Sequence, residues 1–328
     1  MSGDQKPRSS MSIPIKHHHL PVFYLKRWTG EDGRLCQFSQ PYKGIIAHRK
    51  HPAQTGYVKR LYELPGLPRD HAQQIERGFM QRLDSLAAEA LVMLENGDSR
   101  LASDSEARSA WSRFIMSLLM RSPEDLAALR RGIAEEWARH LPQLEEKYKA
   151  KRGPDNQATL KEHLDQVDPE NIERWAKSFA PTLMDHEKIG ALLNAMRWLV
   201  VRVGFGAGEF LTSDRPVVMS WTLTEKNAFL FVPVGPKAMF VAVNDIETQR
   251  MVETRDPAEQ VEAVNRFVAG QAVRFVYART SDPLNYVRQY MGTKRRKTLI
   301  ERLVERRKGS PGGTRSTDGG EGRDGETR

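Results

Sequence analysis

The sequence has almost no cysteine and no long apolar stretch, and both absences limit the kind of protein it encodes. Its one cysteine, Cys36, cannot form an internal disulfide, which excludes a small disulfide-stabilised domain. No run approaches the roughly 18 apolar residues of a membrane-spanning helix. Residues 1–12 are polar and lack the apolar segment of a secretory signal. We therefore expect a cytoplasmic protein without a transmembrane segment.

Familiar metal and nucleophile motifs are absent as well. The chain has no paired cysteines, no His-Glu-x-x-His helix and no Gly-x-Ser-x-Gly turn, so zinc is not expected. In an extended strand His17 and His19 share one face while His18 points to the other, so the three cannot converge on one ion. The glycines of 204–208 follow a helical pattern and precede a strand-like one, the reverse of a phosphate-binding loop.

The net charge of +9 is concentrated near one end of the chain. Residues 288–308 alone contribute +7, and the body from 17 to 287 is close to neutral. An electrostatic argument for phosphate-bearing partners therefore concerns only this segment. Its apolar residues recur at helical spacing, which predicts a basic amphipathic helix over 288–308.

Hydrophobic periodicity predicts the order of structural elements. Two strand-like runs, 23–25 and 35–38, flank the glycine-containing turn 30–33 and predict an N-terminal β-hairpin. Helical spacing prevails from 70 to about 200, including an apolar helix over 189–200.

Strand-like runs, one further helix and a final strand occupy the next part of the body, from 210 to 277. The order predicts an α+β fold, with a helical middle layer packed on a mostly antiparallel C-terminal sheet. We expect 13–287 to be one domain. Residues 1–12 and 309–328 are expected to be disordered, because their composition is polar or rich in Gly, Ser and Thr.

Two stretches place polar, chemically capable residues inside apolar runs, and we interpret them as two walls of one site. The first, 16–28, contains three consecutive histidines, a proline and an aromatic cluster. The second, 209–218, contains a Thr-Ser-Asp sequence followed by Arg-Pro.

These stretches resemble the two signatures of a bacterial family of unknown function, DUF4238. The first signature is a His-His-x-x-Pro segment followed by an aromatic-Tyr-Leu sequence, as in 17–25. The second is similar to 210–217, with Arg215 where Asn is usual. The Arg-Ser-Pro sequence at 121–123, the segment 231–237 and Asn265 ahead of 274–277 also fit.

The resemblance covers about 17–280 and implies an α+β body without an established activity. Its motif positions in this chain are His18, Pro21, Tyr24, Thr212, Ser213, Asp214 and Pro216. His19 stands where the family often has an aromatic residue.

Each candidate site residue has a chemical and a structural interpretation. His18 is a candidate general acid or base, because imidazole titrates near neutral pH, or it is a hydrogen-bonded strand residue. Asp214 could orient His18 or bind Mg²⁺, or it caps a turn. The candidate substrate-binding residues are Tyr24, Thr212, Ser213, Arg121 and Asn265.

Three functions are therefore open. A pocket between His18 and Asp214 could hydrolyse a phosphate or nucleic-acid bond. Alternatively, the protein is not an enzyme and binds nucleic acid or another partner through its C-terminal segment, with four basic candidates: Lys294, Arg295, Arg296 and Lys297. In the third, the body only binds a small molecule and regulates another process.

Overall fold

The computed structural model describes residues 14–153, 157–295 and 297–309. Ten strands lie in this part of the chain: β1 (Lys16–His18), β2 (Leu35–Tyr42), β3 (Gly44–Lys50), β4 (Tyr57–Lys59), β5 (Arg197–Arg202), β6 (Thr212–Ser213), β7 (Val218–Met219), β8 (Phe229–Gly235), β9 (Ala238–Val243) and β10 (Phe275–Ala278).

Helices occupy most of the remainder of these described ranges. The α-helices are α1 (Val22–Leu25), α2 (Arg69–Ala72), α3 (Gln81–Asn96), α4 (Ser105–Leu118), α5 (Pro123–Lys149), α6 (Leu160–Val167), α7 (Asn171–Met184), α8 (Glu187–Ala195), α9 (Ile246–Thr254), α10 (Pro257–Gln271), α11 (Leu284–Tyr290) and α12 (Leu299–Gly309). A π-helical segment, Ile75–Met80, leads into α3. The predicted α+β class is confirmed. No helix of the described ranges is long and apolar enough to cross a membrane.

The strands form one antiparallel pair and two antiparallel four-stranded sheets. Strand β1 pairs with β4. The first sheet has the order β3-β2-β10-β6, and the second has the order β5-β9-β8-β7. In the first sheet, β10 joins strands from opposite ends of the sequence, because it pairs with β2 on one side and β6 on the other. This arrangement brings the N-terminal region next to the second polar stretch.

The N-terminal hairpin differs from the predicted one. Residues 23–25 form the short helix α1, and the hairpin is made by β2 and β3, which turn at Gly44. Tyr24 and Trp28, four residues apart, are both fully buried, which is helical spacing. The strand prediction weighed aromatic content above this spacing.

The helical middle layer begins where its capping residues predict. Asp104 caps α4 by accepting hydrogen bonds from the backbone N–H groups of Glu106 and Ala107. At the start of α5, Ser122 and Asp125 form a capping box, and Pro123 occupies the first turn. Trp111 and Phe114 of α4 lie in the largest buried cluster of the described residues, where Trp111 meets Phe240 of β9.

The apolar helix predicted over 189–200 is wrong in its second half. Helix α8 ends at Ala195, and the chain continues as the edge strand β5 from Arg197. The β-branched pair Val200 and Val201 favours the strand. Trp198 packs edge-on against Phe240 of the neighbouring strand.

The basic C-terminal helix begins at Leu299, later than predicted, and packs against α5. Residues 288–290 belong instead to α11. The close approach depends on Gly132 of α5, where an added Cβ would lie 2.5 Å from Val304 Cγ2. The disorder predicted for 1–12 and 309–328 falls on residues outside the described ranges, except for Gly309, which ends α12.

We expect Gly132→Ala to weaken the docking of α12. Alanine stabilises an ordinary helix interior by about 1 kcal/mol relative to glycine, but here its methyl group collides with Val304. The free energy of unfolding and protease cleavage at 299–309 measure the effect. Gly190→Ala in α8 is the control, because its added Cβ meets nothing within 4 Å. If both substitutions stabilise the protein equally, the packing of α12 on Gly132 is wrong.

Candidate functional site

The three histidines of the first stretch lie at or just after strand β1, and His17 is structural. Its Nδ1 accepts a hydrogen bond from the backbone N–H of Tyr62 at 2.9 Å, and its Nε2 lies 3.0 Å from the carbonyl oxygen of Pro14. A neutral imidazole with the proton on Nε2 satisfies both contacts. Burial lowers the pKa of His17, which agrees with the neutral form.

His18 and His19 are also neutral at neutral pH. Burial, followed by the positive charge of Arg121, lowers the pKa of His18 to about 4 and that of His19 to about 3. His18 places its ring edge-on against Tyr57, with 5.5 Å between the ring centres. Nε2 of His18 and Nδ1 of His19 are buried and have no hydrogen-bond partner among the described residues. A histidine with this pKa is rarely protonated at pH 7, so His18 is poorly suited to act as a general acid.

Arg121 is fully buried and connects the first stretch to the helical layer. Its Nε donates to the carbonyl oxygen of His19 at 3.0 Å, and its Nη1 donates to Asp84 at 2.8 Å. Its own carbonyl oxygen accepts from the hydroxyl of Tyr62 at 2.9 Å. Arg121 was predicted to bind substrate, but these contacts give it a structural role.

The aromatic residues of the first stretch bind directly to the second stretch. The hydroxyl of Tyr24 donates to the carbonyl oxygen of Pro233 at 2.8 Å and lies 2.7 Å from the hydroxyl of Thr212. Trp28 donates from Nε1 to the carbonyl oxygen of Phe210 at 2.8 Å. All of these contacts are buried. The two stretches are therefore neighbours, and buried hydrogen bonds join them.

Ser213 and Asp214 stabilise the turn that follows β6. The hydroxyl of Ser213 accepts from the N–H of Arg215 at 3.2 Å. The carboxylate of Asp214 accepts from three consecutive backbone N–H groups, those of residues 273–275, at 2.9, 2.6 and 3.3 Å. Burial raises the pKa of Asp214 to about 6, and the first two of these hydrogen bonds act in the opposite direction.

Asn265 has a comparable role on α10. Its side-chain oxygen accepts from the N–H of Leu211 at 2.7 Å, and its side-chain nitrogen donates to the carbonyl oxygen of Glu209 at 2.9 Å. Asn265 thus fixes the backbone that enters β6. Both hydrogen-bonding groups of the amide are occupied by backbone, although the residue was predicted to bind substrate.

Within the described residues, no hydrogen bond or ion pair joins His18 to Asp214. His18 faces Tyr57 and Arg121, whereas the carboxylate of Asp214 is occupied by backbone. The orienting role considered for Asp214 therefore has no geometric support. The catalytic role of the pair stays a prediction. No group of three or more His, Cys, Asp or Glu side chains in the described ranges could hold a metal ion.

A cavity of about 670 Å³ lies where the second stretch meets the C-terminal segment, and we call it the basic cavity. Three cationic side chains line it: Arg215 after β6, and Lys297 and Arg302 at or within α12. The guanidinium group of Arg302 lies over the ring of Trp221, 5.0 Å from its centre. The other lining residues are Leu118, Leu119, Asp125, Val217, Met219, Ser220, Phe229, Gln271, Thr298 and Leu299.

Hydrogen bonds hold the walls of the basic cavity in place. The side chain of Gln271 donates to the carbonyl oxygens of Arg215 and Val217, the latter at 2.9 Å. Thr298 immediately precedes α12, and its hydroxyl accepts from the N–H of Glu301 at 3.0 Å. Lys297 forms an ion pair with Glu305 at 2.8 Å.

Asp125 is the carboxylate of the basic cavity. It is 3% exposed, and its Oδ2 accepts from the hydroxyl of Ser122 at 2.6 Å, while no donor of the described residues is in hydrogen-bond geometry with its Oδ1. Burial raises the pKa of Asp125 to about 6, and the hydroxyl groups of Ser122 and Thr298 and the charge of Arg215 act in the opposite direction. At pH 7 the cavity therefore contains three cationic groups and one carboxylate.

The predicted basic residues of the C-terminal segment separate in the structure. Lys297 lines the basic cavity, whereas the ammonium group of Lys294 lies over the ring of Phe267 at 5.1 Å from its centre. Arg295 does not line the cavity, and Arg296 lies outside the described residues.

A second cavity, of about 470 Å³, lies between α5, α7 and α12. Its lining is mainly apolar and includes Trp137 and Trp175, which meet edge-on. Among the lining residues, Glu136 pairs with Arg139 and His140 on the same helix. This cavity therefore offers less charge to an anionic ligand than the basic cavity does.

A family model described as "Protein of unknown function (DUF4238)" matches residues 16–282, which include both polar stretches. The chain belongs to this family. No curated protein and no solved structure matches it. The DUF4238 match contains Asp125, Arg215 and Trp221 but ends before Lys297 and Arg302. The basic cavity is thus built partly by the DUF4238 body and partly by a segment beyond the match.

No sequence pattern identified Asp125, Trp221 or Arg302 as a candidate site residue. Asp125 follows Ser122 by three residues, a spacing that predicts a helix cap, and the cap explains only one of its two oxygen atoms. Trp221 lies in an irregular segment after β7, where no hydrophobic period marks it. The available signal was the position of two basic residues around the start of α12. Lys297 lies two residues before the helix, Arg302 follows Lys297 by five residues, and the cavity lies beside the first turn of that helix.

Proposed function

We propose that the protein binds an anionic small molecule in the basic cavity, with Arg215, Lys297 and Arg302 as its anion contacts. The observation that carries this proposal is the convergence of these three cations on one cavity. Guanidinium and ammonium groups bind phosphate and carboxylate through charge-assisted hydrogen bonds. The volume of about 670 Å³ is within the range of small-molecule sites, roughly 300–1,000 Å³.

Hydrolysis of a phosphate bond by His18 and Asp214 has less support. It requires a protonatable His18 near neutral pH, but the pKa of His18 is lowered to about 4. It also requires a carboxylate available to His18 or Mg²⁺, but three backbone N–H groups occupy that of Asp214. The binding proposal needs neither group to react.

Nucleic-acid binding along the C-terminal segment also has less support than binding in the cavity. An extended phosphate backbone needs a row of accessible cations. Here Lys294 covers Phe267, while Lys297 and Arg302 face the cavity with Arg215. The described positive charge is thus better placed for a compact anion.

Titration with inorganic sulfate tests the binding proposal. We expect the full chain to bind sulfate saturably at low ionic strength, as measured by calorimetry. Arg215→Gln should weaken binding about tenfold or more, since a charge-assisted hydrogen bond contributes about 1.5–3 kcal/mol. Lys297→Gln should also weaken sulfate binding. Because the side chain of Lys297 is largely exposed, we do not expect this substitution to unfold the protein.

Lys294→Gln is the matched control, because it removes the same charge from the same segment outside the cavity. We expect its affinity to stay within about twofold of the unmodified chain. Equal losses in Lys294→Gln and Arg215→Gln would indicate diffuse attraction to the basic segment. The absence of saturable sulfate binding would also contradict the proposal.

The pH dependence of sulfate binding should follow Asp125. Sulfate keeps its charge between about pH 7.5 and pH 5, whereas Asp125 becomes protonated as the pH falls through about 6. Protonation removes the one negative charge from the cavity lining, so affinity should rise several-fold over this interval. In Asp125→Asn the rise should disappear. An equal rise in both proteins would show that another group causes it.

A further inference from the structure

We infer that the ligand of the basic cavity is a nucleoside monophosphate, whose base stacks on Trp221 and whose phosphate binds Arg215 and Lys297. This inference rests on the proposed anion-binding function and specifies the rest of the ligand. It is based on three features of the lining: an exposed aromatic ring, a carboxylate oxygen that no donor of the described residues reaches, and the presence of both apolar and charged side chains.

The aromatic feature is Trp221, whose side chain lines the cavity although the residue is 71% exposed. Arg302 lies over its ring at 5.0 Å from the centre. An indole held by a guanidinium group is a platform for a planar base, because rings and guanidinium planes both stack on nucleobases. Phe229 adds a second aromatic side chain to the lining. An inorganic anion would use neither ring.

The carboxylate feature is Asp125. Its Oδ2 accepts from the hydroxyl of Ser122 and the hydroxyl of Thr298 also acts on the carboxylate, while no donor of the described residues is in hydrogen-bond geometry with its buried Oδ1. A buried carboxylate oxygen without a donor is unfavourable, so its position beside the cavity indicates a ligand that carries a hydrogen-bond donor. The phosphate dianion has no such donor, whereas the hydroxyl groups of ribose and the amino group of adenine do.

The composition of the lining fits a ligand that carries both a charged and an apolar part. Arg215, Lys297 and Thr298 provide charged and polar groups, and Val217, Met219 and Phe229 provide an apolar surface. A volume of about 670 Å³ is far larger than a five-atom anion requires. A phosphate joined through a sugar to a planar base presents an anion, hydroxyl donors and a stacking surface in one molecule.

Calorimetric titrations with adenosine monophosphate and ribose 5-phosphate test the inference on the full chain. Both ligands carry the phosphate and sugar, but only the first carries a base. We expect the nucleotide to bind about tenfold more tightly or better, in line with the contribution of base–aromatic stacking. Trp221→Ala should abolish this difference in affinity between the two ligands.

Phe205→Ala is the matched control, since Phe205 is also an exposed aromatic residue but does not line the basic cavity. It should leave the affinities for both ligands unchanged. If sulfate binds but the nucleotide binds no better than ribose 5-phosphate, the inference is overturned and the anion-binding function stands. If Trp221→Ala retains the full preference for the nucleotide, stacking on Trp221 is also overturned. If neither sulfate nor either phosphate binds, both the inference and the proposed function fail.

Discussion

Asp214→Ala should destabilise the protein by about 3–5 kcal/mol. The substitution removes the acceptor of three consecutive, partly buried backbone N–H groups, those of residues 273–275 that lead into β10, and leaves them without this partner. Each such group costs about 1–3 kcal/mol. Urea denaturation followed by circular dichroism measures the loss. Since a typical domain is stable by only 5–15 kcal/mol, an effect of this size should be large.

Asp165→Ala provides the control for the loss of an aspartate. Its carboxylate forms an exposed pair with Lys161 on α6, so the change in unfolding free energy should stay below about 1 kcal/mol. The catalytic interpretation of Asp214 makes the opposite prediction: normal stability with loss of activity. A destabilisation by Asp214→Ala as small as that of the control would contradict the structural role.

The second large effect is expected for Arg121→Met, which should destabilise the protein by about 3–5 kcal/mol. Methionine can fill much of the space of the arginine stem, but it cannot pair with Asp84 or donate to the carbonyl oxygen of His19. Removing one partner of a buried ion pair leaves the other charge uncompensated. The double variant Arg121→Met with Asp84→Asn should recover part of the lost stability.

Arg113→Met is the matched control for Arg121→Met. Arg113 also pairs with an aspartate, Asp185, at 2.5 Å, but both side chains are nearly half exposed. Exposed pairs contribute about 0–1 kcal/mol, so this variant should unfold close to the unmodified protein. If Arg121→Met is equally mild and instead abolishes ligand binding, Arg121 belongs to the binding site.

These two predictions follow from one property of the DUF4238 signatures. Tyr24, Trp28, Arg121, Asp214 and Asn265 all form hydrogen bonds with backbone or with neighbouring side chains. Together they join α1, the start of α5, the turn after β6 and β10. The signatures thus encode a buried junction. Arg215 and Val217 are the residues of the second signature that line the basic cavity.

The sequence predicted those parts of the fold that local patterns determine. Local patterns place the start of α4 at Ser103 or Asp104 and the first turn of α5 at Pro123, and the structure agrees with both. The α8–β5 boundary was missed because an apolar run from 189 to 200 satisfies both periods over short distances. The partners of β2 were also missed: β3 follows it in a local hairpin, whereas pairing with β10 depends on tertiary contacts that no local pattern contains.

The candidate site was predictable only in part. Residue type correctly placed the two polar stretches next to each other, but it could not show that backbone groups would occupy Asp214. Burial and the charge of Arg121 lower the pKa of His18 to about 4. Both depend on the fold, since Arg121 lies about 100 positions away in the sequence. The basic cavity joins Asp125, Arg215 and Arg302, which lie far apart in the sequence, so only the folded chain brings them together.

Anion binding in the basic cavity can be tested directly by a crystal structure of the full chain soaked in tungstate, a heavy tetrahedral dianion. If the basic cavity binds anions, we expect an anomalous density peak inside it, in contact with Arg215 and Lys297. This peak should be lost in Arg215→Gln crystals. An empty cavity, with tungstate found only on the outer surface near Lys294, would show that the basic cavity is not an anion-binding site.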